Sequence, residues 1–385
     1  MKLRIAFTGG GTGGHVYPAL AIDEAIRAQY RPDAYEPRFF GNRHGLEARL
    51  VKTMPLTFVP SAPLQRNLSL STLRTIFANT AGVIRALTAL VRFKPMWVIA
   101  TGGYVCFPVV VAARILRTLR IIRPRIAVLE INVTPGLTNR LLKPLVDEVW
   151  TTYAASEESF GRKTVVTGAP VRASLLLAKD AASARDRLGL DPDRTTVVVM
   201  GGSHGARSIN EATAALVTRR TLGDGWQLLH VSGERDFAYM QAEERDPAAG
   251  NRVKLVPYLA DPADAYAAAD VVIARAGAST LAELAVTGTP AILIPYPHAA
   301  DQHQAHNAAL FAEAGAAVVL NDAEVDGDRL WWALRDILDT DKKVTMRRAA
   351  RSLAPRNAAA AIVTRIEAAL RARVAADANA NESHP

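Results

Sequence analysis

Two glycine-containing segments of the sequence stand beside side chains that could take part in chemistry. Gly9–Gly14 follows a short apolar run and leads directly into His15. Ala276–Thr280 follows another apolar run and leads into a helical segment that contains Glu283. Small residues let the backbone approach a ligand closely, and the free amides of a helix N-terminus attract phosphate. The sequence therefore predicts two anion-binding loops, one beside an imidazole and one beside a carboxylate.

The first loop formally matches a dinucleotide-binding fingerprint through Gly9, Gly11 and Gly14. Such a domain also needs an Asp or Glu at the end of its second strand, where the carboxylate holds a ribose. The second predicted strand ends in Phe39–Asn42 and offers no acid. A nicotinamide-dependent oxidoreductase is therefore the less favoured interpretation.

The second loop offers more specific chemistry. The free amides of its helix start and the hydroxyls of Ser279 and Thr280 could hold a diphosphate. Glu283, about one turn further on, could accept hydrogen bonds from both hydroxyls of a ribose. The alternative is a capped helix in which this carboxylate only offsets the helix dipole. Polar groups in Pro295–His298 and Asp301–Asn307 suit the recognition of sugar hydroxyls, which favours the first interpretation.

Several acidic and imidazole pairs have spacings that could suggest a metal ion. His303 and His306 are three residues apart, although a polar helix start is the favoured interpretation there. Asp-x-Asp triplets fall in predicted turns or at helix edges. We therefore predict neither a metal site nor a cofactor. The triplets are Asp191/Asp193, Asp326/Asp328 and Asp339/Asp341.

The order of apolar runs predicts an α/β protein with parallel sheets. Short β-branched runs alternate with segments of helical period, such as Pro18–Arg27 and Leu73–Val91, and the pattern restarts at Thr195. Two strand–loop–helix openings predict two Rossmann-like, doubly wound domains that face each other across a cleft. Strands are predicted at Leu3–Thr8, Pro37–Phe40, Leu56–Val59, Trp97–Ala100, Arg125–Glu130, Glu148–Thr151, Thr195–Met200, Gln227–Val231, Val253–Pro257, Val271–Ala274, Ala291–Pro295 and Ala317–Leu320.

We place the domain boundary near the start of Gly168–Arg172. The N-terminal domain then spans residues 1–167, and the C-terminal, sugar-nucleotide domain spans 168–355. An Ala-rich helix at 356–376 closes the fold and could pack back on the N-terminal domain. The tail at 377–385 is small and polar, so we expect it to be disordered.

The chain is basic, with a formal net charge of +9 and a pI near 9.8, which favours an anionic partner. Aromatic residues make up only 6% and do not interleave with basic ones, which argues against nucleic acid. Cys106 is the only cysteine, which excludes an intramolecular disulfide, and we expect it to be a buried small residue. We find no apolar run that could span a bilayer and no signal peptide, and expect a cytoplasmic protein with peripheral membrane contact.

The segment Val109–Arg125 is the candidate membrane face. On a helix, arginines three residues apart share one face, and aliphatic neighbours can enter the headgroup boundary of an anionic leaflet. The alternative is that the aliphatic side chains pack on the sheet and the arginines are only solvated. The basic residues are Arg114, Arg117, Arg120, Arg123 and Arg125, and the aliphatic ones are Ile115, Leu116, Leu119, Ile121 and Ile122.

Six motifs follow one another along nearly the whole chain: Gly9–His15 with Pro18–Ala21, Gly102–Val105 with Pro108, Pro135–Asn139, Gly201–Ala206, Ala274–Glu283 and Asp301–Asn307. As an ordered set they closely resemble the MurG family of N-acetylglucosaminyltransferases. The resemblance implies a GT-B fold and an inverting, metal-free transfer from UDP-N-acetylglucosamine. The implied acceptor is undecaprenyl-pyrophosphoryl-muramyl-pentapeptide (lipid I), at the C4 hydroxyl of its muramyl sugar, on the cytoplasmic face of the cell membrane.

The resemblance also implies a catalytic role for one residue. His15 would be the base that helps the acceptor hydroxyl attack the anomeric carbon, which an imidazole can do near neutral pH. The alternative is a neutral imidazole that is merely hydrogen-bonded at a helix start.

The donor-binding set implied by the resemblance draws on both domains. Arg172 and Ser203 would lie near phosphate, and Leu259 would lie against uracil. Gln304 and Asn307 would contact the sugar. The rest of the set is Thr12, Gly13, Gly14 and Asn132 from the N-terminal side, and Ala278, Ser279, Thr280, Leu281, Ala282 and Glu283 around the diphosphate and ribose.

The chain departs from the family pattern at a few positions. Leu129 and Ile131 flank Glu130 where the family usually has His and Gln, and His204 replaces a usual Gln. Three other interpretations stay open: a GT-B transferase that glycosylates another lipid such as diacylglycerol, a UDP-sugar epimerase, and a non-catalytic sugar-nucleotide or nucleic-acid binding protein.

Overall fold

The computed structural model describes all residues except Met1, 64–69, 203–204, 220–224, 244–251, 354, 356 and 383–385. The chain forms two compact units. The first comprises Met1–Ile131, Pro135–Ala173 and Arg356–Pro385, and the second comprises Asn132–Thr134 and Ser174–Pro355. The main passage from one unit to the other therefore lies at residues 173/174, whereas the sequence places it at 167/168.

The first unit is built on a sheet of seven strands: β1 (Leu3–Thr8), β2 (Tyr35–Gly41), β3 (Leu56–Phe58), β4 (Trp97–Ala100), β5 (Arg125–Glu130), β6 (Glu148–Thr151) and β7 (Thr164–Val166). Their spatial order is β3-β2-β1-β4-β5-β6-β7, and all neighbouring pairs are parallel. Residues on both faces of β4 are buried, as expected for a parallel sheet covered by helices on both sides.

The second unit contains a sheet of six strands: β8 (Thr195–Met200), β9 (Trp226–Val231), β10 (Val253–Val256), β11 (Val271–Ala274), β12 (Ala291–Leu293) and β13 (Ala317–Val319). Their order is β10-β9-β8-β11-β12-β13, again with parallel pairing. The two sheets confirm the predicted fold class of two Rossmann-like domains. Among the described residues, β7 is the one strand that was not predicted; it is three residues long and lies at the edge of its sheet.

The helices are α1 (Gly13–Gln29), α2 (Glu47–Leu50), α3 (Leu70–Phe93), α4 (Cys106–Thr118), α5 (Leu137–Leu142), α6 (Glu157–Phe160), α7 (Ala173–Leu176), α8 (Ala181–Arg187), α9 (Arg207–Arg219), α10 (Phe237–Glu243), α11 (Ala263–Ala268), α12 (Ala278–Thr287), α13 (His303–Glu313), α14 (Gly327–Leu338), α15 (Lys342–Ser352) and α16 (Ala358–Glu382). Helix α16 packs on α1, and Arg365 donates to the buried Glu148 carboxylate at 2.6 Å. It continues through residues 377–382, for which the sequence predicts disorder, because its Ala-rich composition favours helix.

Helix α3 presents an apolar face to the surface. It packs along α4, and its Ala86, Leu90 and Phe93 belong to the core of the first unit. Its other face carries exposed apolar side chains. Leu73–Phe93 is long and apolar enough to cross a membrane, and 28% of its most apolar 18-residue stretch is buried. The prediction that no apolar run could span a bilayer is therefore wrong for this helix. The exposed side chains are Leu73, Ile76, Phe77 and Ile84.

The predicted membrane segment 109–125 is only partly helical. Helix α4 ends at Thr118, and Arg120 takes a positive φ of 59°, which interrupts the helical spacing of the arginines. Leu116 and Ile122 are buried, so they are not available to a membrane, while three aliphatic residues stay exposed. Two of the arginines are engaged in ion pairs, Arg117 with Asp147 and Arg125 with Glu148. The exposed aliphatic residues are Ile115, Leu119 and Ile121.

Candidate functional site

The glycine loop of the first unit lies at the point where the strand order of its sheet reverses. The chain leaves β1 toward one edge of the sheet and continues from β4 toward the other edge. In open parallel sheets, ligands bind at such a switch point, outside the carboxyl ends of the strands. The loops after β1 and β4 meet here, because Gly10 N–H donates to the Gly102 carbonyl at 3.2 Å.

His15 lies in the first turn of α1, at this junction. Its Nδ1 is 2.9 Å from the Gly10 carbonyl oxygen and 3.3 Å from Thr12 Oγ1. A carbonyl oxygen can only accept, so Nδ1 carries the proton of the neutral ring and Nε2 keeps its lone pair. The half-buried imidazole is thus held in the tautomer that a base needs.

Two glycines after β4 make room for this imidazole. Gly102 and Gly103 have positive φ angles of 110° and 85°. A methyl group at Gly102 would lie 2.6 Å from His15 Cδ2, and one at Gly103 would collide with the Gly10 carbonyl. Thr101 Oγ1 also donates to the His15 carbonyl at 2.6 Å. Glycine is therefore required at both positions by backbone conformation and by contact.

The sequence analysis missed a buried carboxylate beneath the same loop. Glu47, the first residue of α2, is fully buried. Its Oε1 accepts from Asn42 N–H at 2.7 Å, and its Oε2 accepts from Gly11 N–H at 3.4 Å. The end of β2 has no acidic residue, as the sequence indicates. The carboxylate comes from Glu47, five positions beyond Asn42, and the ribose-binding pattern does not include that position.

The other predicted residues of the first unit surround this junction. Thr12 is the N-cap of α1 without a side-chain cap bond, and Gly13 and Gly14 begin the helix. The Arg172 guanidinium lies 4.0 Å from the centre of the Tyr17 ring, on the same helix. Cys106 is buried as predicted, and burial raises the pKa of its thiol to about 12, so the thiol stays protonated at neutral pH.

In the second unit, the corresponding switch point lies between β8 and β11. The loop after β11 leads into α12, whose N-cap is Gly277 and whose first turn contains Ser279 and Thr280. Both side chains are half-buried at the carboxyl edge of the sheet. Leu281 and Ala282 are buried, and Leu281 N–H already donates to the Gly277 carbonyl at 3.0 Å. The side chains of Leu281 and Ala282 thus pack in the core, so the predicted contact of these two residues with a donor would have to come from their backbone.

Glu283 is half-buried on the exposed side of the same helix. Its Oε2 accepts from the hydroxyl of Tyr266, in α11, at 2.8 Å. Tyr266 is itself buried, with 3% of its surface exposed, so its hydroxyl holds one oxygen of the carboxylate from the protein interior. The sequence analysis did not single out this tyrosine, since nothing in its spacing links α11 to α12.

Arg275 connects three loops at the carboxyl edge of the second sheet. Its guanidinium pairs with Asp322 after β13 and donates to the Ile294 carbonyl at 3.1 Å after β12. It also donates to Ser208 Oγ, at the start of α9, at 3.0 Å. Only 12% of the arginine side chain and 18% of the aspartate side chain are exposed. This ion pair therefore holds the loops that surround the start of α12.

Asn307 and Gln304 lie in α13 and are engaged within the protein. Asn307 is buried; its amide donates to the Ala276 carbonyl at 3.3 Å and to Asn132 Oδ1 at 3.2 Å, and its Oδ1 accepts from Val133 N–H. The sugar contact predicted for this side chain stays a prediction, and in the structure its amide links Ala276 to residues 132–133. Gln304 Oε1 accepts from Tyr296 N–H at 2.9 Å, which orients its NH₂ group.

The other predicted residues of the second unit lie in loops and at helix starts. Leu259 is half-buried in the loop after β10, at the carboxyl edge of the second sheet. Ser203, like His204, lies outside the described residues. The Nδ1 of His303 is hydrogen-bonded to the Ala300 carbonyl, and the Nδ1 of His306 is hydrogen-bonded to Thr134 Oγ1. No group of three His, Cys, Asp or Glu side chains suited to a metal is found within the described ranges.

Two domains of one known protein family match this chain. Residues 5–151 match the glycosyltransferase family 28 N-terminal domain, and residues 196–365 match the glycosyltransferase family 28 C-terminal domain. The chain belongs to glycosyltransferase family 28. It is a glycosyltransferase, and the two matched ranges contain both glycine loops.

Relatives with a named activity indicate which kind of glycosyltransferase this chain resembles. The chain is 38% identical over 352 residues to the UDP-N-acetylglucosamine–N-acetylmuramyl-(pentapeptide) pyrophosphoryl-undecaprenol N-acetylglucosamine transferase of Desulforamulus reducens, covering 89% of this chain and 92% of the relative. It is 40% identical to the transferase of the same name from Moorella thermoacetica, covering 94% and 97%. These matches confirm the predicted MurG-family membership.

Solved structures show the same architecture. The crystal structure of Acinetobacter baumannii MurG has a TM-score of 0.71 and 25% identity, covering 95% of this chain and 99% of that one. A putative UDP-N-acetylglucosamine 2-epimerase from Listeria monocytogenes reaches a TM-score of 0.66 at 14% identity, covering 96% and 97%. The second likeness shows the shared GT-B fold alone.

Proposed function

We propose that this glycosyltransferase moves N-acetylglucosamine from UDP-N-acetylglucosamine to the C4 hydroxyl of the muramyl sugar in undecaprenyl-pyrophosphoryl-muramyl-pentapeptide. The observation that carries the proposal is the identity of 38–40%, over nearly the whole chain, to transferases named for that reaction. The product is the lipid-linked disaccharide of peptidoglycan synthesis. The reaction needs no resident metal or cofactor in this proposal.

In the proposed mechanism His15 is the base. As the acceptor oxygen attacks the anomeric carbon, its proton passes to His15 Nε2, and the bond from that carbon to the UDP oxygen breaks. One displacement inverts the configuration of the anomeric carbon. The hydrogen bond from Nδ1 to the Gly10 carbonyl supports this assignment, because it leaves Nε2 unprotonated. Positioned bases of this kind contribute about 10²–10⁴-fold to a rate.

The second unit holds the donor in this proposal. The amides at the start of α12 and the hydroxyls of Ser279 and Thr280 bind the diphosphate, and they stabilise the charge that develops on the leaving UDP. Glu283 accepts from the ribose hydroxyls, and Leu259 packs on uracil. Gln304 contacts the sugar through the NH₂ group of its amide.

Transfer of radiolabel from UDP-N-acetylglucosamine tests the proposal, with and without lipid I. We expect label in a butanol-extractable product only when lipid I is present. Label that passes to diacylglycerol instead would indicate a different lipid acceptor. Conversion of the free nucleotide sugar to its 2-epimer would indicate an isomerase, and no turnover with any acceptor would reduce the chain to a binding protein.

We further propose that the enzyme binds peripherally to the anionic cytoplasmic face of the cell membrane through helix α3. Four large apolar side chains on α3 are exposed, with Phe77 the most exposed at 78%. Exposed arginines lie on the same helix, at Arg74, Arg85 and Arg92. An apolar strip flanked by basic residues is the pattern of helices that lie in a membrane interface. The docking segment is thus α3 together with the end of α4, rather than residues 109–125 alone.

Co-sedimentation with vesicles of phosphatidylglycerol and phosphatidylcholine tests this surface. The double variant Ile76→Ser/Phe77→Ser should lose most of the binding. Arg120→Glu/Arg123→Glu should weaken it by about 1 kcal/mol per residue or more, and high salt should have the same effect. Trp332→Ser, which removes an exposed apolar side chain from the second unit, should bind like the native chain. Equal binding by all four chains would rule out this docking surface.

A further inference from the structure

The Glu47 carboxylate is built into the glycine loop rather than placed beside it. A methyl group added at Gly10 would lie 2.5–2.6 Å from its carboxylate atoms, and one at Gly41 would lie 2.6 Å from its Cγ. A methyl group at Gly45 would also collide with the carboxylate. Three glycines therefore surround one fully buried acid: Gly10 from the loop after β1, and Gly41 and Gly45 from the stretch that leads from β2 to α2. Such burial of a charged group is costly unless hydrogen bonds compensate for it.

The two hydrogen bonds of the Gly10–Gly11 peptide connect this acid to the imidazole. The N–H of Gly11 donates to Glu47 Oε2, and the C=O of the same peptide, from Gly10, accepts from His15 Nδ1. A carboxylate that accepts from one end of a peptide increases the negative charge on the carbonyl oxygen at the other end. Hydrogen bonds linked in this way strengthen one another in a medium of low dielectric constant.

We propose that Glu47 is a positioning residue that acts on His15 through the Gly10–Gly11 peptide. The carboxylate fixes the plane of the peptide, and the polarised carbonyl holds the Nδ1 proton and leaves Nε2 as the acceptor. The arrangement is a carboxylate–histidine pair with one peptide bond inserted between its members. This inference rests on the proposed role of His15 as the base.

A tyrosine also lies against this loop. The Tyr104 ring packs against Gly11, where an added methyl group would lie 3.2 Å from its Cε1. Burial, and then the negative charge of Glu47, raise the pKa of the Tyr104 phenol. The phenol and the carboxylate therefore lie on the same side of the chain's first glycine loop, next to Gly11.

Glu47→Gln is the central test, because the amide keeps the shape but replaces one acceptor oxygen with an NH₂ donor. That group cannot accept from either Asn42 N–H or Gly11 N–H. We expect kcat to fall about 10-fold or more, the lower end of the loss seen when partners of a functional histidine are removed. KM for UDP-N-acetylglucosamine should change little. Glu36→Gln, which removes an exposed carboxylate paired with Lys2, should leave both constants unchanged.

A double-mutant cycle separates positioning from general damage. If Glu47 acts through His15, Glu47→Gln should cost at least 10-fold in the native background and less than about 3-fold in a His15→Ala background. An equal loss in both backgrounds would overturn the inference. A normal rate for His15→Ala alone would remove the proposed base, and this inference with it. A slow His15→Ala with a normal Glu47→Gln would remove only the inference.

The native chain offers a test that does not depend on any variant folding. Nitrogen-15 NMR of the histidine side chains should show neutral His15 protonated at Nδ1. In Glu47→Gln, if circular dichroism shows it folded, the fraction with the proton on Nε2 should rise. A native His15 protonated at Nε2, or a tautomer ratio that does not respond to Glu47→Gln, would contradict the coupling.

Discussion

Both glycine loops follow parallel strands at the switch points of their sheets. The charged side chain next to the loop is a carboxylate in the first unit and a guanidinium in the second. Behind the loop of the first unit lies Glu47, fully buried and hydrogen-bonded to the Gly11 amide. Behind the loop of the second unit lies Arg275, paired with Asp322 and bonded to the Ile294 carbonyl. In the proposed mechanism the first group supports the imidazole that accepts a proton, and the second supports the helix start that binds the diphosphate.

The comparison shows how one loop architecture can serve two kinds of chemistry. The loop backbone and the helix N-terminus offer the same amides in both units. In the first unit the amide of Gly11 is used by the buried acid, so it is not available to a phosphate. In the second unit the Asp322 carboxylate is paired with the arginine. If the proposed roles hold, the sign of the neighbouring charge is what separates the loop beside the base from the loop that binds phosphate.

The largest effect should come from removing the base of the first unit. His15→Ala should lower kcat by about 10²–10⁴-fold, the usual range for a lost general base. UDP affinity measured by calorimetry should be unchanged, because the donor determinants lie mainly in the second unit. His44→Ala, an exposed histidine of the same unit, serves as the control and should turn over normally. A His15→Ala chain that binds UDP weakly would place this residue in the donor site instead.

Breaking the supporting cation of the second unit should mainly affect stability. Arg275→Met removes the cation that pairs with Asp322, which keeps the hydrogen bond from the Ser208 hydroxyl, and it removes the donor to the Ile294 carbonyl. We expect the free energy of unfolding to fall by about 3 kcal/mol, at the low end for buried pairs because both side chains keep some exposure. Urea unfolding followed by fluorescence measures the loss. The double variant Arg275→Met/Asp322→Leu should recover part of it. Equal stability of the single variant and the native chain would show that the ion pair contributes little.

These two supporting residues also mark the limit of what the sequence could predict. Alternating apolar runs and glycine loops were sufficient for the fold, because strand burial and helix starts leave local patterns. His15 and Glu283 were found because each follows a glycine loop at short range. Glu47 was missed because its contact with the glycine loop, through Gly11, joins positions 36 residues apart, and no local spacing records it.

The same reason explains which details of the predicted site could not be read from the sequence. Asn307 was assigned to the sugar, but in the structure its amide is used by Ala276 and Asn132, which are remote in sequence. Leu281 and Ala282 were included as neighbours of Glu283, although the helical period turns them into the core. Proximity in sequence identified the helix, and only the packing decides which of its faces a ligand can reach.

Glu283 should matter for donor binding and not for the fold. Glu283→Ala should weaken UDP binding by about 1.5–3 kcal/mol, about 10- to 150-fold in Kd, through the loss of charge-assisted hydrogen bonds to the ribose. Calorimetry with UDP measures the change. Glu313→Ala, an exposed carboxylate on α13, should leave the Kd unchanged. Native affinity in the Glu283→Ala chain would return this residue to the role of a helix-dipole partner.

The smallest effect should come from the tyrosine that holds this carboxylate. Tyr266→Phe removes the 2.8 Å hydrogen bond to Glu283 Oε2 and keeps the buried ring, so the core stays filled. A single hydrogen bond of this kind contributes about 0.5–1.5 kcal/mol, so we expect the Kd of UDP to rise about 2- to 10-fold. Because the hydroxyl acts only through the carboxylate, Tyr266→Phe should add nothing in a Glu283→Ala background. Tyr239→Phe, on the exposed α10, should match the native chain. An additive loss in the double variant would mean that Tyr266 contacts the donor itself, and the second unit would then bind the ribose through two side chains rather than one.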